Sequence, residues 1–331
     1  MDGDPLEELI PDDENKYGGV EDHEPEHPNP LMELIGAPMD PLPAEDESLA
    51  AAGVTDPVAT PSESFLEFYQ LHENPFTDSV NPEYFYQTDN HHDSFQRMLM
   101  AVEQDVSLAM TTGLSGTGKT LITQLLLQHL DRDRYCPVVV LVSPAMSRTG
   151  LLREIIGELN IALPAGAIHT HGLLKILGNA VIDLFDEGRK LVLIFDECHF
   201  LTSENLHIIR TISNIEIPER KLTTSLLFGE ARFAQRLRHS SYDSLRNRMY
   251  MKSELLPMSE SDCSQYIKFR CMVAGRTSDL FDDGALVAVH QTSGGICRNV
   301  NKLCMLALME GFLRRAVVIE APLIERCKAL L

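Results

Sequence analysis

Gly113–Leu114–Ser115–Gly116–Thr117–Gly118–Lys119–Thr120 is the stretch whose reading decides how the rest of the chain is understood. It satisfies GxxxxGK[ST] in full. It also stands between an apolar run at Val106–Met110 and an amphipathic one at Thr120–Leu130, the strand–loop–helix context that the motif requires. Glycines let such a loop curl until its backbone N–H groups converge on phosphate oxygens. The helix that follows aims the positive end of its dipole at the same place. Lys119 is spaced to reach β- and γ-phosphates, and the Thr120 hydroxyl to ligate Mg²⁺. The expected nucleotide contacts are Gly113, Ser115, Gly116, Thr117, Gly118, Lys119, Thr120 and Leu121.

Further along, Leu191–Val192–Leu193–Ile194–Phe195 is wholly apolar and ends in Asp196–Glu197. Such a run predicts a central strand that delivers two carboxylates to its C-terminal edge, where open α/β sheets bind ligands. Asp196 is the expected Mg²⁺ partner of Thr120, and Glu197 the expected general base on the attacking water. Cys198–His199 extends the pair to Asp–Glu–Cys–His, superficially a helicase motif, but no further helicase motifs follow. His199 is therefore read as a coupling or capping residue at the strand edge.

Around these two motifs the periodicity alternates. Strands are expected at Val138–Val142, Thr224–Phe228 and Met249–Leu256, and helices at His91–Gln104, Leu151–Leu159, Leu173–Phe185, Glu204–Ile212 and Ala231–Leu237. Strands separated by crossover helices predict a doubly wound parallel sheet over 63–257. From Ser259 the pattern is helical, roughly 259–273, 282–292, 298–313 and 321–330. A small all-helical lid is expected at 258–331.

Residues 1–62 differ in kind. They hold 17 Asp/Glu, one Lys and ten of the 18 prolines, so they carry most of the net charge of −21. A segment so acidic, with few aromatics, is expected to be disordered. It serves either as a solubilising leader or as an interaction tail, in which Leu31–Met32–Glu33–Leu34–Ile35 docks as a short helix or the charge mimics nucleic acid. No apolar run is long enough for a membrane span, and the acidic N-terminus argues against a secretion signal. The seven cysteines include no CxxC pair and are read as reduced thiols. A cytoplasmic location is expected.

Two arginines stand out. Leu245–Arg246–Asn247–Arg248–Met249 lies between a helix and the last strand, where Arg248 would project toward a neighbour's γ-phosphate or else sit in a solvated turn. Gly294–Gly295–Ile296–Cys297–Arg298–Asn299 opens a lid helix, where Arg298 would reach the bound nucleotide or else be ordinary helix-start chemistry.

Taken in order, these residues resemble a known family. Phe68–Tyr69–Gln70–Leu71–His72–Glu73–Asn74–Pro75–Phe76, Tyr84–Phe85–Tyr86 and the helix opened by His91 look like the N-terminal signature of AAA+ ATPases of the general secretion pathway protein A kind. The phosphate loop, Asp196–Glu197, Leu245–Met249, Tyr266–Gly275, Gly294–Arg298 and Asn301–Cys304 continue the likeness over roughly 65–325. The resemblance implies ATP and Mg²⁺ as ligands and a trans-acting arginine at Arg248. It further implies a lid sensor at Arg298 and a homo-oligomer that couples hydrolysis to remodelling a protein partner, as in secretion or pilus systems. Two residues depart from it: Glu230 stands where relatives carry an amide or hydroxyl, and Cys297 replaces a proline. The membrane span and peptidoglycan-binding domain of longer members are not expected here. Two other functions stay open: an ATP-dependent DNA-binding regulator of the transposition type, using clusters such as Arg232–Arg236–Arg238 or Arg314–Arg315, and a nucleotide-locked scaffold with little turnover.

Overall fold

A computed structural model describes residues 64–77, 81–164, 166 and 169–330. The acidic segment, with its expected disorder and its candidate helix at Leu31–Ile35, lies outside the described residues. In chain order the elements begin with α1 (Phe65–Tyr69), α2 (Asp89–Glu103), β1 (Leu108–Gly113), α3 (Lys119–His129), β2 (Tyr135–Leu141), α4 (Arg148–Glu158) and α5 (Thr170–Asp186). They continue with β3 (Lys190–Asp196), α6 (Ser203–Ile212), β4 (Glu216–Ile217), β5 (Arg220–Lys221), β6 (Thr223–Glu230), α7 (Ala231–Arg236), α8 (Asp243–Arg246) and β7 (Met249–Leu255). Four helices close the chain: α9 (Glu260–Val273), α10 (Asp283–Ser293), α11 (Cys297–Leu313) and α12 (Ala321–Cys327).

Five strands form one sheet in the order β2-β3-β6-β1-β7, and every neighbouring pair is parallel. A parallel sheet with helices on both faces buries both sides of its strands, which is why β3 reads as an unbroken apolar run. Successive side chains nonetheless serve different cores, as the pleat demands. Leu191, Leu193 and Phe195 pack with Leu151, Leu173 and Ile209 of α4, α5 and α6. Val192 and Ile194 pack on the other side with Met98 of α2 and Ile122 and Leu126 of α3. Lys190, which opens β3 and is only 3% exposed, is satisfied by Val102 O (3.0 Å) and Asp105 Oδ1 (2.7 Å).

The third core is helical and draws on two distant parts of the chain. Ile267, Leu286, Val289, Leu303, Leu308 and Ile324 of α9–α12 enclose Tyr69, Phe76 and Tyr84 from the segment before the sheet. Tyr69 is fully buried, and its hydroxyl lies 3.0 Å from Leu308 O and 3.2 Å from Ala316 O. Arg276 donates to Tyr69 O at 2.9 Å, and Arg270 donates to Pro75 O. Tyr69, Phe76 and Tyr84 thus precede the sheet in sequence but belong to the helical core in space. Asn90, in the first turn of α2, staples the two regions at their crossing. Its side chain donates to Glu254 O (3.0 Å) and accepts from Leu256 N (2.9 Å), where β7 runs out toward α9.

The β4–β5 hairpin has no counterpart in the sequence reading. Its strands are two residues each, too short for an alternation to register.

Candidate nucleotide site

β1 ends at Gly113 and α3 begins at Lys119, so the quoted octapeptide is the turn between a buried strand and a helix start. Gly116 (φ 82°) and Gly118 (φ 101°) hold left-handed conformations that L side chains rarely adopt. Space forbids a side chain as well: a Cβ on Gly116 would come within 2.7 Å of Arg298 Cβ, and one on Gly118 within 3.0 Å of His91 Nε2. No side chain caps α3, so its first N–H groups are left to a ligand.

Lys119 is 6% exposed and folds back on the loop, donating to Gly113 O (3.2 Å) and Leu114 O (2.8 Å). Burial lowers its pKa from the ordinary lysine value, while Glu197, Asp196 and Glu230 pull it upward. The three carboxylates give the loop a negative field suited to a divalent cation beside phosphates. The Thr120 hydroxyl donates to Asp196 Oδ2 at 2.8 Å, joining the two motifs. Two hard oxygens this close suit Mg²⁺, which takes one or two protein ligands and completes its shell with water and phosphate. Among the described residues no group of three or more His, Cys, Asp and Glu side chains is placed to hold a metal alone.

Glu197 has φ 57°, a left-handed backbone in a non-glycine residue. Its N–H donates to Asp196 Oδ1 at 2.8 Å. The sharp turn after β3 sends neighbouring carboxylates in different directions, with Asp196 5% exposed and the Glu197 side chain 39% exposed beside the loop. Such conformations concentrate at sites where surrounding structure over-determines the backbone.

The helical region closes the site. Arg298 N donates to Gly116 O (3.2 Å), and Arg298 Nη1 donates to Ser115 Oγ (3.3 Å), so α11 starts directly against the loop. The cavity above Lys119 and Thr120 is walled by Tyr84 and Phe85 before the sheet and by Tyr266 and Asn301 of the helical region. Leu121 lines it too, as does Cys297, whose thiol burial pushes up to about 11.

His91 is the residue that motif reading passed over. Buried in the first turn of α2, it donates through Nε2 to Thr117 O (2.9 Å), while Nδ1 accepts from Thr88 Oγ1 (2.7 Å). A carbonyl can only accept, so these partners fix the tautomer. The ring props the Gly113–Thr120 loop from below, and burial lowers its pKa from the ordinary histidine value. The only hint in the sequence was a histidine at the start of an amphipathic helix.

The arginines separate. Arg246 is spent locally on Asp243 and on the carbonyls of Leu237 and Arg238. Arg248 stands at the N-terminal end of β7, the edge opposite the phosphate loop, and among the described residues its side chain has no hydrogen-bond or ion-pair partner. Four arginines of the basic clusters have partners within the chain. Arg232 pairs with Glu230 (2.8 Å), Arg236 donates to His199 O and Leu201 O, Arg314 pairs with Glu310, and Arg315 lies over the rings of Phe68 and Phe312.

Comparison with known proteins agrees with this geometry. Residues 102–237, from the end of α2 through α7, match the family model described as an AAA domain. The chain carries an AAA domain. It is 30% identical over 250 residues to general secretion pathway protein A of Aeromonas hydrophila, a match covering 76% of this chain and 45% of that protein. The chain therefore spans less than half the length of the curated relative it matches. Among solved structures, the ORC2 protein of Aeropyrum pernix superposes with a TM-score of 0.59 at 15% identity, covering 78% of this chain and 71% of that one. Cdc6p from Pyrobaculum aerophilum gives 0.60 at 16% identity, with coverages of 74% and 67%. At such identities these two likenesses speak for the fold. The expected P-loop sheet with helices following it is the fold observed, and the sequence relationship is to general secretion pathway protein A. No helix among the described residues is long and apolar enough to cross a membrane.

Proposed function

We propose that this AAA+ chain binds ATP with Mg²⁺ between Gly113–Thr120 and Asp196–Glu197 and hydrolyses it to ADP and phosphate. The observation that carries the reading is the 2.8 Å contact between Thr120 and Asp196, which brings the two motifs to one point. On binding, Lys119 exchanges the carbonyls of Gly113 and Leu114 for phosphate oxygens, and the loop amides and the α3 N-terminus hold the same group. Thr120 and Asp196 would hold Mg²⁺, which would supply charge neutralisation of the phosphates. Glu197 accepts the proton of the attacking water as its oxygen bonds the γ-phosphorus and the bond to the β–γ bridging oxygen breaks. Arg298 contacts the loop and reports the nucleotide to α11.

Arg248 fits action in trans. The six residues of β1 span about 20 Å, and β7 runs parallel beside it, so Arg248 faces away from the phosphates of its own chain. A free guanidinium on that edge suits a neighbouring copy in a homo-oligomer, and the 258–330 helices form the lid that closes with it. By relationship to general secretion pathway protein A, a cytoplasmic assembly that remodels a protein partner is the favoured context. The pairing of Arg232, Arg236 and Arg314 within the chain weighs against a phosphate-backbone surface for DNA.

Phosphate release by wild type and Glu197→Gln, each with magnesium, tests the chemistry. A fall of roughly 10²-fold or more is expected, in the range typical of a lost general base. Equal rates would leave a nucleotide-locked scaffold instead. Particle sizing with ADP, with a slowly hydrolysed ATP analogue and without nucleotide tests Arg248. Assembly that depends on nucleotide supports the trans role, and a monomer throughout removes it.

A further inference from the structure

His199 lies between two carboxylates at the edge of this site. Its Nδ1 is 3.2 Å from Glu197 Oε2, and its Nε2 is 3.9 Å from Glu230 Oε1. The side chain is 3% exposed, yet Nδ1 makes no hydrogen bond of acceptable geometry, so a buried polar atom lies beside the Glu197 carboxylate without completing the bond. Native structures rarely leave such an atom unmatched without a reason.

The ring is fixed from every side. It packs on Phe200 at a centroid distance of 4.1 Å. Arg236 donates to the carbonyls on either side of Phe200, at 3.3 Å to His199 O and 2.6 Å to Leu201 O, which clamps the turn after β3. Gly229 lets that turn lie against β6, because a Cβ there would meet Cys198 Cβ and His199 N at 3.3 Å each. Glu230 is tied by one oxygen to Arg232 Nε (2.8 Å), and its other oxygen faces the ring. Burial lowers the imidazole pKa, and Glu230 is the largest influence in the other direction. A neutral ring has one N–H to donate. It therefore satisfies one carboxylate at a time.

We propose that His199 is a positioning residue for Glu197, and that Glu230, anchored by Arg232, is the competing acceptor that sets how often His199 is available. Rotation of the exposed Glu197 carboxylate completes the bond from Nδ1 to Oε2, leaving Oε1 for the water. A half-exposed glutamate has several rotamers to choose from, and a base acts only from the productive one. This gives Glu230 a task that an amide at the same place would perform differently, and it rests on the reading of Glu197 as the base.

Steady-state hydrolysis by His199→Ala, His199→Asn and His199→Phe tests the assignment. The alanine variant is expected to lose about tenfold in kcat, with KM and nucleotide affinity within about twofold, the pattern of an interaction made in the transition state. Asparagine places an amide donor near the Nδ1 position and is expected to recover to within about threefold of wild type, whereas phenylalanine fills the space without a donor and stays low. Wild-type kcat in the alanine variant, or equal activity of Asn and Phe, overturns the proposal. Should alanine fail to fold, the Asn-to-Phe ratio decides alone. Glu197→Gln measured alongside separates the two levels. If it is inactive while His199→Ala is unaffected, only the role of His199 falls; if it turns over normally, the base assignment falls first.

Discussion

The sheet and the helical region are held together in different ways, and the site lies where they meet. Around β1, β3 and β6 the cohesion is repetitive: alternate side chains fill two apolar layers, and backbone hydrogen bonds set the register. In the helical region, cohesion depends on single side chains reaching across the sequence, such as Tyr69 to Leu308 and Arg276 to Tyr69. A sheet of this kind tolerates the loss of one contact. The join of Tyr69, Phe76 and Tyr84 with α9–α12 combines apolar packing with a handful of buried polar anchors.

The sharpest way to break that contrast is Tyr69→Ala. Removing a fully buried aromatic costs about 3–5 kcal/mol, and the loss is expected to loosen the helical region before the sheet, visible as early hydrogen exchange in α11. Uniform exchange across the chain would show that the two regions unfold as one. Tyr69→Phe keeps the ring and removes the hydroxyl that donates to Leu308 O or Ala316 O, a cost of about 0.5–1.5 kcal/mol. An unchanged denaturation midpoint would show that the hydroxyl contributes nothing.

On the sheet side the matching change is His91→Ala. It removes the prop beneath Thr117 and is expected to weaken nucleotide binding by roughly tenfold, equivalent to about 1.4 kcal/mol, with the sheet intact by circular dichroism. Affinity equal to wild type would mean that the glycines and the α3 start shape the loop unaided. The smallest effect concerns Cys297, at the boundary. With its thiol pushed up to about 11, alkylation is slow at neutral pH. Bound nucleotide is expected to slow it about twofold or more by covering the cavity. Protection absent at saturating nucleotide would place the ligand elsewhere.

The same contrast explains what was legible in the sequence. Strand β3 and the turn at Gly113–Thr120 declare themselves because burial on both faces leaves an unbroken apolar run, and a phosphate cradle needs glycine at fixed offsets. The four closing helices show through their periodicity. The partnership of residues 65–86 with those helices did not show, since nothing local to Tyr69 or Phe76 indicates that their neighbours lie more than 200 residues away. His91 escaped for a related reason: it acts through one hydrogen bond to a backbone carbonyl, which leaves no spacing to detect. Glu230 was visible as a departure, but its contact with Arg232 and its approach to His199 emerge only when β6 is laid beside β3.

The central claim, that one triphosphate is held between the Gly113–Thr120 loop and the Asp196–Glu197 pair, is most directly tested by calorimetric titration of ATP with magnesium into wild type and Lys119→Ala. Saturable binding by wild type and a loss of at least about tenfold in the variant, some 1.4 kcal/mol, are the expected results. Equal affinity in the two proteins, or none in wild type, would contradict the account.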